Sequence, residues 1–162
     1  MVGVRSYLSL AVRFLKGVFL LNNIEGVLVR IAVPGDLDFI SKRSGLSEDV
    51  LIHKIEAREI YLLIVNGAPV GYIRMGYLWS EIPFIELITI DETFRNRGLS
   101  RGLLGFLEDD LRVQGHEVLY SSSQMNEPAP QAWHRHMGFE ACGVINGLND
   151  GGIGEVFFRK AL

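Results

Sequence analysis

The chain has a single cysteine, Cys142, among 162 residues. That excludes an intrachain disulfide framework and suits a reducing compartment. A lone thiol of this kind is expected as a small buried apolar residue. Charge is nearly balanced: a formal net charge of −3 supplies no global field for gathering a polyanion, so nucleic-acid binding would need a strong local patch. Arg13 and Lys16 break the apolar run near the N-terminus, and no uncharged stretch approaches the roughly 18 residues of a membrane span. No small-residue cleavage site follows that run, so neither a secretory signal nor a spanning helix is expected. G-x-x-x-x-G-K-[ST] is missing, and Gly98, Gly102 and Gly105 do not fit G-x-G-x-x-G. ATP hydrolysis and dinucleotide redox chemistry lose their best support. His116, His134, His136 and Cys142 make no zinc set, because residues two apart on a helix diverge and no close ligand pair completes a tetrahedron. Nor does a serine sit in a G-x-S-x-G context.

What is present is a single globular domain with a distinctive end. In "MVGVRSYLSLAVRFLKGVFLLNN", Tyr7, Leu8, Ala11, Val12, Leu15, Val18 and Phe19 recur at helical spacing. Residues 1–23 therefore read as an amphipathic helical extension, docked on the body or on a partner subunit in preference to a membrane surface, and residues 24–162 as one domain. "VLVRIAV" alternates like a strand, and "PGDLDFISKRSG" and "LSEDVLIHKIEARE" read as two helices, the second with Ser47 as N-cap. "IYLLIV" and "PVGYIRMGYLW" flank Asn66-Gly67, a hairpin signal. "PFIELITI" is a fourth strand. Leu99, Leu103, Phe106, Leu107 and Leu111 then mark a helix, "HEVLYSSS" a fifth strand, and "APQAWHRHMG" a short helix closed by Gly138. Strand, crossover helix and strand suggest a parallel pair. Two last strands enclose "GLNDGG", with a hairpin signal at Asp150-Gly151. The class is α/β.

The stretch "DETFRNRGLSRGLL" raises the functional question, because residues 95–102 hold three arginines and two glycines. A strand feeding a glycine-containing turn and a helix leaves helix-start N–H groups unpaired, and such groups attract anions. Glycine permits close approach or positive φ, and arginine adds charge-assisted bonds. Chemistry alone leaves three readings: an anion cradle, a turn with solvated arginines, or a nucleic-acid contact. No aromatics interleave these arginines as single-strand binders require.

"ITIDETFRNRGLSRGLL" resembles the signature of the GNAT superfamily of acyl-CoA-dependent N-acyltransferases, Arg/Gln-x-x-Gly-x-Gly/Ala between an apolar strand and an apolar helix. Arg95, Gly98 and Ser100 occupy its three key places, with serine where glycine or alanine is usual. "NEPAPQAWHRHMGFE" is similar to the family's second signature, an Asn after the fifth strand and a short helix ending in Gly-Phe. The likeness spans about residues 27–162. It implies a mixed six- to seven-stranded sheet flanked by helices, with splayed parallel fourth and fifth strands. It also implies acetyl-CoA as cosubstrate, its pyrophosphate on the N–H groups of Asn96, Arg97, Gly98, Leu99, Ser100 and Arg101 beside Arg95. The pantetheine arm would pair with backbone at Ile88, Thr89 and Ile90 and meet Asn126.

The implied reaction is direct attack of a primary amine on the thioester in a ternary complex. It needs position, a proton acceptor and a proton donor. Glu86 is the candidate base, a lone carboxylate within "PFIELITI", with a structural ion pair to an arginine as the competing reading. Glu81 precedes that strand and is the weaker alternative. The N–H of Ile90 would meet the carbonyl oxygen. Many relatives carry tyrosine four residues before the glycine of the Gly-Phe pair; here His134 stands there and is the candidate acid, against a surface or acyl-pocket histidine. Trp133 and Tyr120 are further candidates as proton donors or pocket walls, against plain packing, and Ser121 to Ser123 are expected to line the cofactor cleft. The expectation is a cytoplasmic N-acetyltransferase for a small-molecule or peptide amine, open to homodimerisation, with no nucleic-acid partner and no metal. The alternative is a non-catalytic acyl-CoA-binding or regulatory module.

Overall fold

Runs of β-branched and aliphatic residues set the strands. The computed structural model describes Val18–Leu20 and residues 26–162. Val18–Leu20 (β1) pairs antiparallel with Val27–Ile31 (β2), Phe19 opposite Val29. The expected helical extension is thus corrected at its last turn. Val-Phe-Leu has high strand propensity, and an apolar strand lies beside it to accept its backbone bonds. The rest of that extension lies outside the described residues.

After β2, a 3-10 turn at Pro34–Asp36 leads into helices Leu37–Ser44 (α1) and Glu48–Glu56 (α2). Ser47 takes the N-cap backbone position of α2, but its hydroxyl makes no cap hydrogen bond. Ile60–Val65 (β3) runs antiparallel to β2. The expected tight turn follows at Asn66 and Gly67, both at positive φ, 51° and 82°. Ala68–Leu78 (β4) and Ile82–Ile90 (β5) flank a second turn at Trp79 and Ser80, with φ 52° and 62°. Helix Leu99–Val113 (α3), strand Val118–Gln124 (β6), helix Pro128–His136 (α4) and strands Glu140–Ile145 (β7) and Glu155–Ala161 (β8) complete the chain. The strands join one sheet in the order β1-β2-β3-β4-β5-β6-β8-β7. β5 and β6 are parallel, through a short ladder of Phe84 with Tyr120 and Ile85 with Ser121. Among the described residues, no helix is long and apolar enough to cross a membrane.

The chain clusters into two compact units. Met1–Ile73 with Ile88–Phe106 form one, Arg74–Leu87 with Leu107–Leu162 the other. In the first, Val29, Ile40, Leu51, Leu62, Leu63 and Tyr72 are fully buried, each aliphatic side chain worth about 1.5–3 kcal/mol. Arg30 and Asp36 brace its edge: both guanidinium NH groups donate to the carboxylate, at 2.6 and 2.8 Å, and the Val33 N–H donates to the same side chain at 2.8 Å. In the second, Leu107, Leu111, Leu119 and Phe158 form the core, and Lys160 and Arg112 both pair with the buried Glu108.

Two expectations at the C-terminal end change. The Asp150-Gly151 signal does not make a two-residue hairpin; a longer loop with a 3-10 turn at Asp150–Gly152 joins β7 and β8. Cys142 is exposed, not buried. It is the extra residue of a bulge between Ala141 and Gly143, on the outermost strand of the sheet. An edge strand covered on neither face has no core to offer it.

Candidate functional site

The first unit holds the arginine and glycine turn. At the end of β5, Asp91 accepts from Arg43 on α1 at 2.9 and 3.1 Å, and its N–H donates to Val70 O at 2.8 Å. A 3-10 turn at Glu92–Phe94 follows, and the Arg95 Nε–H donates back to Ile90 O at 2.9 Å. Arg95 therefore braces the turn. Asn96 and Gly98 sit at φ 60° and 74°. The Gly98 carbonyl then starts α3 by accepting from Arg101 and Gly102 at 3.1 and 3.4 Å. Among the described residues, no acceptor takes the N–H of Asn96, Arg97, Gly98 or Leu99. The Leu99 side chain, buried, anchors the helix start. Positive φ at Asn96 and Gly98, one residue apart, is the alternation from which backbone anion nests are built. Arg97 lies over the Phe94 ring at 5.4 Å.

Upstream, Gly71 lets β4 and β5 approach closely: a Cβ there would fall 3.0 Å from Ile90 Cα. Ile88 and Thr89 are half-buried and Ile90 is buried.

The second unit holds the candidate acid and base. Glu86 projects from β5 with its side chain about 30% exposed, and the Arg74 Nε–H donates to it at 2.9 Å. Arg74, on β4, is buried. The competing reading of Glu86 as an arginine-paired carboxylate therefore describes its contact. Glu81 sits exposed at the β4–β5 turn, its N–H donating to Leu78 O.

His134 is 3% exposed and stacked on Phe158 at 4.4 Å, with the Trp133 ring edge-on at 5.0 Å. Its Nδ1 lies 2.8 Å from Pro130 O and its Nε2 2.8 Å from Ser121 Oγ. A carbonyl only accepts, so Nδ1 carries the proton and, in the neutral ring, Nε2 accepts from the serine hydroxyl. Burial pushes the His134 pKa down, opposed by the Pro130 carbonyl and by the charge of Glu155. A buried neutral ring whose one proton is bonded to the Pro130 carbonyl, and whose Nε2 carries none, is poorly placed to protonate a ligand. The geometry therefore weighs against the acid role expected for His134. Ser121 also approaches Ile85 O at 3.4 Å, and the buried Ser123 hydroxyl has no hydrogen-bond partner among the described residues. Asn126 is exposed just after β6, in a loop tied by the Met125 N–H to Gly154 O and by Gln131 to the carbonyls of residues 124 and 125.

Sequence reasoning missed Arg43, Arg74 and the Ser121–His134 contact. Arg74 had a signal: it is the lone charge in "PVGYIRMGYLW", as Glu86 is in "PFIELITI". Opposite lone charges on consecutive strands joined by a short turn predict a cross-strand pair.

A family model for the acetyltransferase (GNAT) family matches residues 36–139. The chain belongs to the GNAT family. No curated protein matches this GNAT chain by sequence. Among solved structures it is similar to Ard1 from Thermoplasma volcanium, at 14% identity and TM-score 0.73, over 85% of this chain and 98% of that one. It is also similar to the ribosomal-protein-S18-alanine N-acetyltransferase from Escherichia coli, at 18% identity and TM-score 0.70, over 83% and 93%. A third likeness is to a chain from Bacillus anthracis assigned as a streptothricin acetyltransferase, solved with acetyl coenzyme A, at 18% identity and TM-score 0.59, over 64% and 61%. At these identities the structural likenesses establish the GNAT fold.

Proposed function

We propose that this GNAT protein transfers an acetyl group from acetyl-CoA to a primary amine of a small molecule or peptide, by direct attack in a ternary complex. The observation that carries the reading is the turn at residues 95–101, where four consecutive N–H groups lack acceptors among the described residues and two residues hold positive φ. Such a nest fits a pyrophosphate. The acetyl-CoA in the Bacillus anthracis structure supports the choice of donor.

In this proposal Asn96, Arg97, Gly98 and Leu99 hold the pyrophosphate through their N–H groups, aided by Ser100 and Arg101. Arg95 holds the turn in shape. The backbone of Ile88, Thr89 and Ile90 pairs with the pantetheine arm, and Asn126 donates to it. Acetyl-CoA supplies an acetyl group activated as a thioester: as the N–C bond forms and the C–S bond breaks, nitrogen sheds one proton and sulfur gains one. Glu86 accepts the proton from nitrogen, directly or through a water, and the Ile90 N–H steadies the carbonyl oxygen. His134 positions β6 through Ser121 and does not supply the sulfur's proton, which comes from solvent.

A second reading, a cofactor-binding module without turnover, is favoured by the one observation that both ring nitrogens of His134 are engaged, with Pro130 O and Ser121 Oγ. Thiol release from acetyl-CoA across a panel of amines, amino acids, aminoglycosides and peptide N-termini separates the two. Turnover that Glu86→Gln abolishes supports the enzyme; calorimetric binding without turnover supports the module, and no binding removes both.

A further inference from the structure

Glu86 rests on two residues that the family signatures do not contain. Arg74 is buried, and a buried guanidinium is costly unless its donors are paired. Its Nε–H donates to Glu86 Oε2 at 2.9 Å. Gly76 lies two residues further along β4. A Cβ at Gly76 would fall 3.0 Å from Glu86 Cδ and 3.3 Å from Cγ, and closer still to Oε1. The glycine is not required by its backbone, since Gly76 is absent from the positive-φ residues. A glycine inside a strand weakens it and marks close approach of another group. Here the group is the Glu86 carboxylate, which lies over the space that any other residue would fill.

We infer that Arg74 and Gly76 are positioning residues that fix the Glu86 carboxylate for the acceptor amine, an inference that rests on the catalytic reading of Glu86. Arg74 commits one oxygen of Glu86, and Gly76 lets the other settle against the strand. An ion pair that served the hairpin alone would need no glycine beneath the carboxylate. Nor would it leave the Glu86 side chain about 30% exposed while Arg74 is covered. Both features suit a carboxylate held in one orientation yet open to a ligand. Misplacing a reacting group by about 1 Å costs on the order of 100-fold in rate.

The test uses an amine that the wild-type protein acetylates. Gly76→Ala adds one methyl group and removes no polar atom. It is expected to lower kcat at least tenfold with the KM for acetyl-CoA unchanged. In a Glu86→Asp background, whose shorter side chain vacates that space, the same change is expected to cost little. Arg74→Lys keeps the charge but loses the Nε geometry, and is expected to lower kcat in the same pattern; it carries the test should Gly76→Ala fail to fold. A readout independent of turnover is the Arg74 Nε–Hε resonance in 15N-labelled protein, which should move in Gly76→Ala and in Glu86→Gln while the amide spectrum stays dispersed. Wild-type kcat in Gly76→Ala and Arg74→Lys, or an unmoved Arg74 resonance in Gly76→Ala, overturns the inference alone. A wild-type protein that acetylates no amine overturns the catalytic reading and the inference together.

Discussion

Gly98 offers the sharpest test of the proposed anion nest because its role is separable from sterics. A Cβ built there meets nothing within 4 Å, yet the residue holds φ at 74°. Gly98→Ala therefore introduces conformational strain and no clash. An L-residue with a Cβ pays about 1–2 kcal/mol in the left-handed region, slightly offset or enlarged by its effect on the unfolded chain. The protein can keep the geometry and lose that much stability. Alternatively, it can relax the turn and lose the alignment of its N–H groups, which acetyl-CoA must then restore on binding. The two losses together should come to about 1–2 kcal/mol, and if all of it falls on binding, Kd rises by about 5- to 30-fold. Gly98→Asn tolerates the left-handed region better, so both losses should shrink to a few-fold in Kd or less. Paired calorimetric titrations with acetyl-CoA and chemical unfolding of the three proteins measure the sum. Equal losses for alanine and asparagine, or none for either, would refute the strain argument.

The buried His134 makes stability pH-dependent with a definite sign. Its folded pKa is depressed by burial, so below the ordinary value of about 6.5 the unfolded chain binds more protons than the native one, and stability falls as pH drops from there. His134→Phe should flatten that slope and cost about 1–3 kcal/mol at neutral pH from the lost bonds to Ser121 and Pro130, checked by urea unfolding between pH 5 and pH 8. An unchanged slope contradicts the burial account. Burial would raise the Asp36 pKa, but the hydrogen bonds from Arg30 and the Val33 N–H and the Arg30 charge outweigh it and hold it low. Its contribution is present above about 3.9 and lost as pH falls through the folded value. Asp36→Asn should cost about 2–3 kcal/mol at neutral pH, less than a fully buried pair, and weaken the acid transition. Replacing Trp79-Ser80 by Asn-Gly puts residues suited to positive φ where two ill-suited ones stand, and should raise unfolding stability by about 1 kcal/mol. An unchanged denaturant midpoint would show that this turn stores no strain.

Much of this fold was legible because periodicity and punctuation agreed. Ile60–Val65 and Ile82–Ile90 are dense in β-branched residues, Asn66-Gly67 forms its turn, and Gly138 ends α4 with φ 86°. The parallel pair followed from a strand, helix and strand in sequence. What escaped depended on neighbours distant in the chain. Val18 and Phe19 fit a helical stripe as well as a strand, and only pairing with β2 decides between them. Cys142 looked like a core residue because its exposure depends on β7 being last in the sheet order. At the site, the backbone logic of residues 95–101 could be read directly, since glycine and a helix start leave few options. His134 could not: its spacing marked a place, but its protonation depends on Pro130, Ser121 and Phe158 around it. Arg74 could have been found by treating lone charges in consecutive strands as a pair.

The central claim, that this chain uses its backbone nest to bind acetyl-CoA and passes the acetyl group to an amine, is tested most directly by isotope transfer. The protein is incubated with acetyl-CoA labelled in the acetyl carbonyl and a mixed panel of amines, and the products are read by mass spectrometry. The account predicts label in an amide of at least one amine, lost with Glu86→Gln and reduced with Gly98→Ala. Label that stays on the thioester, or reaches amines equally in the Glu86→Gln protein, would contradict it.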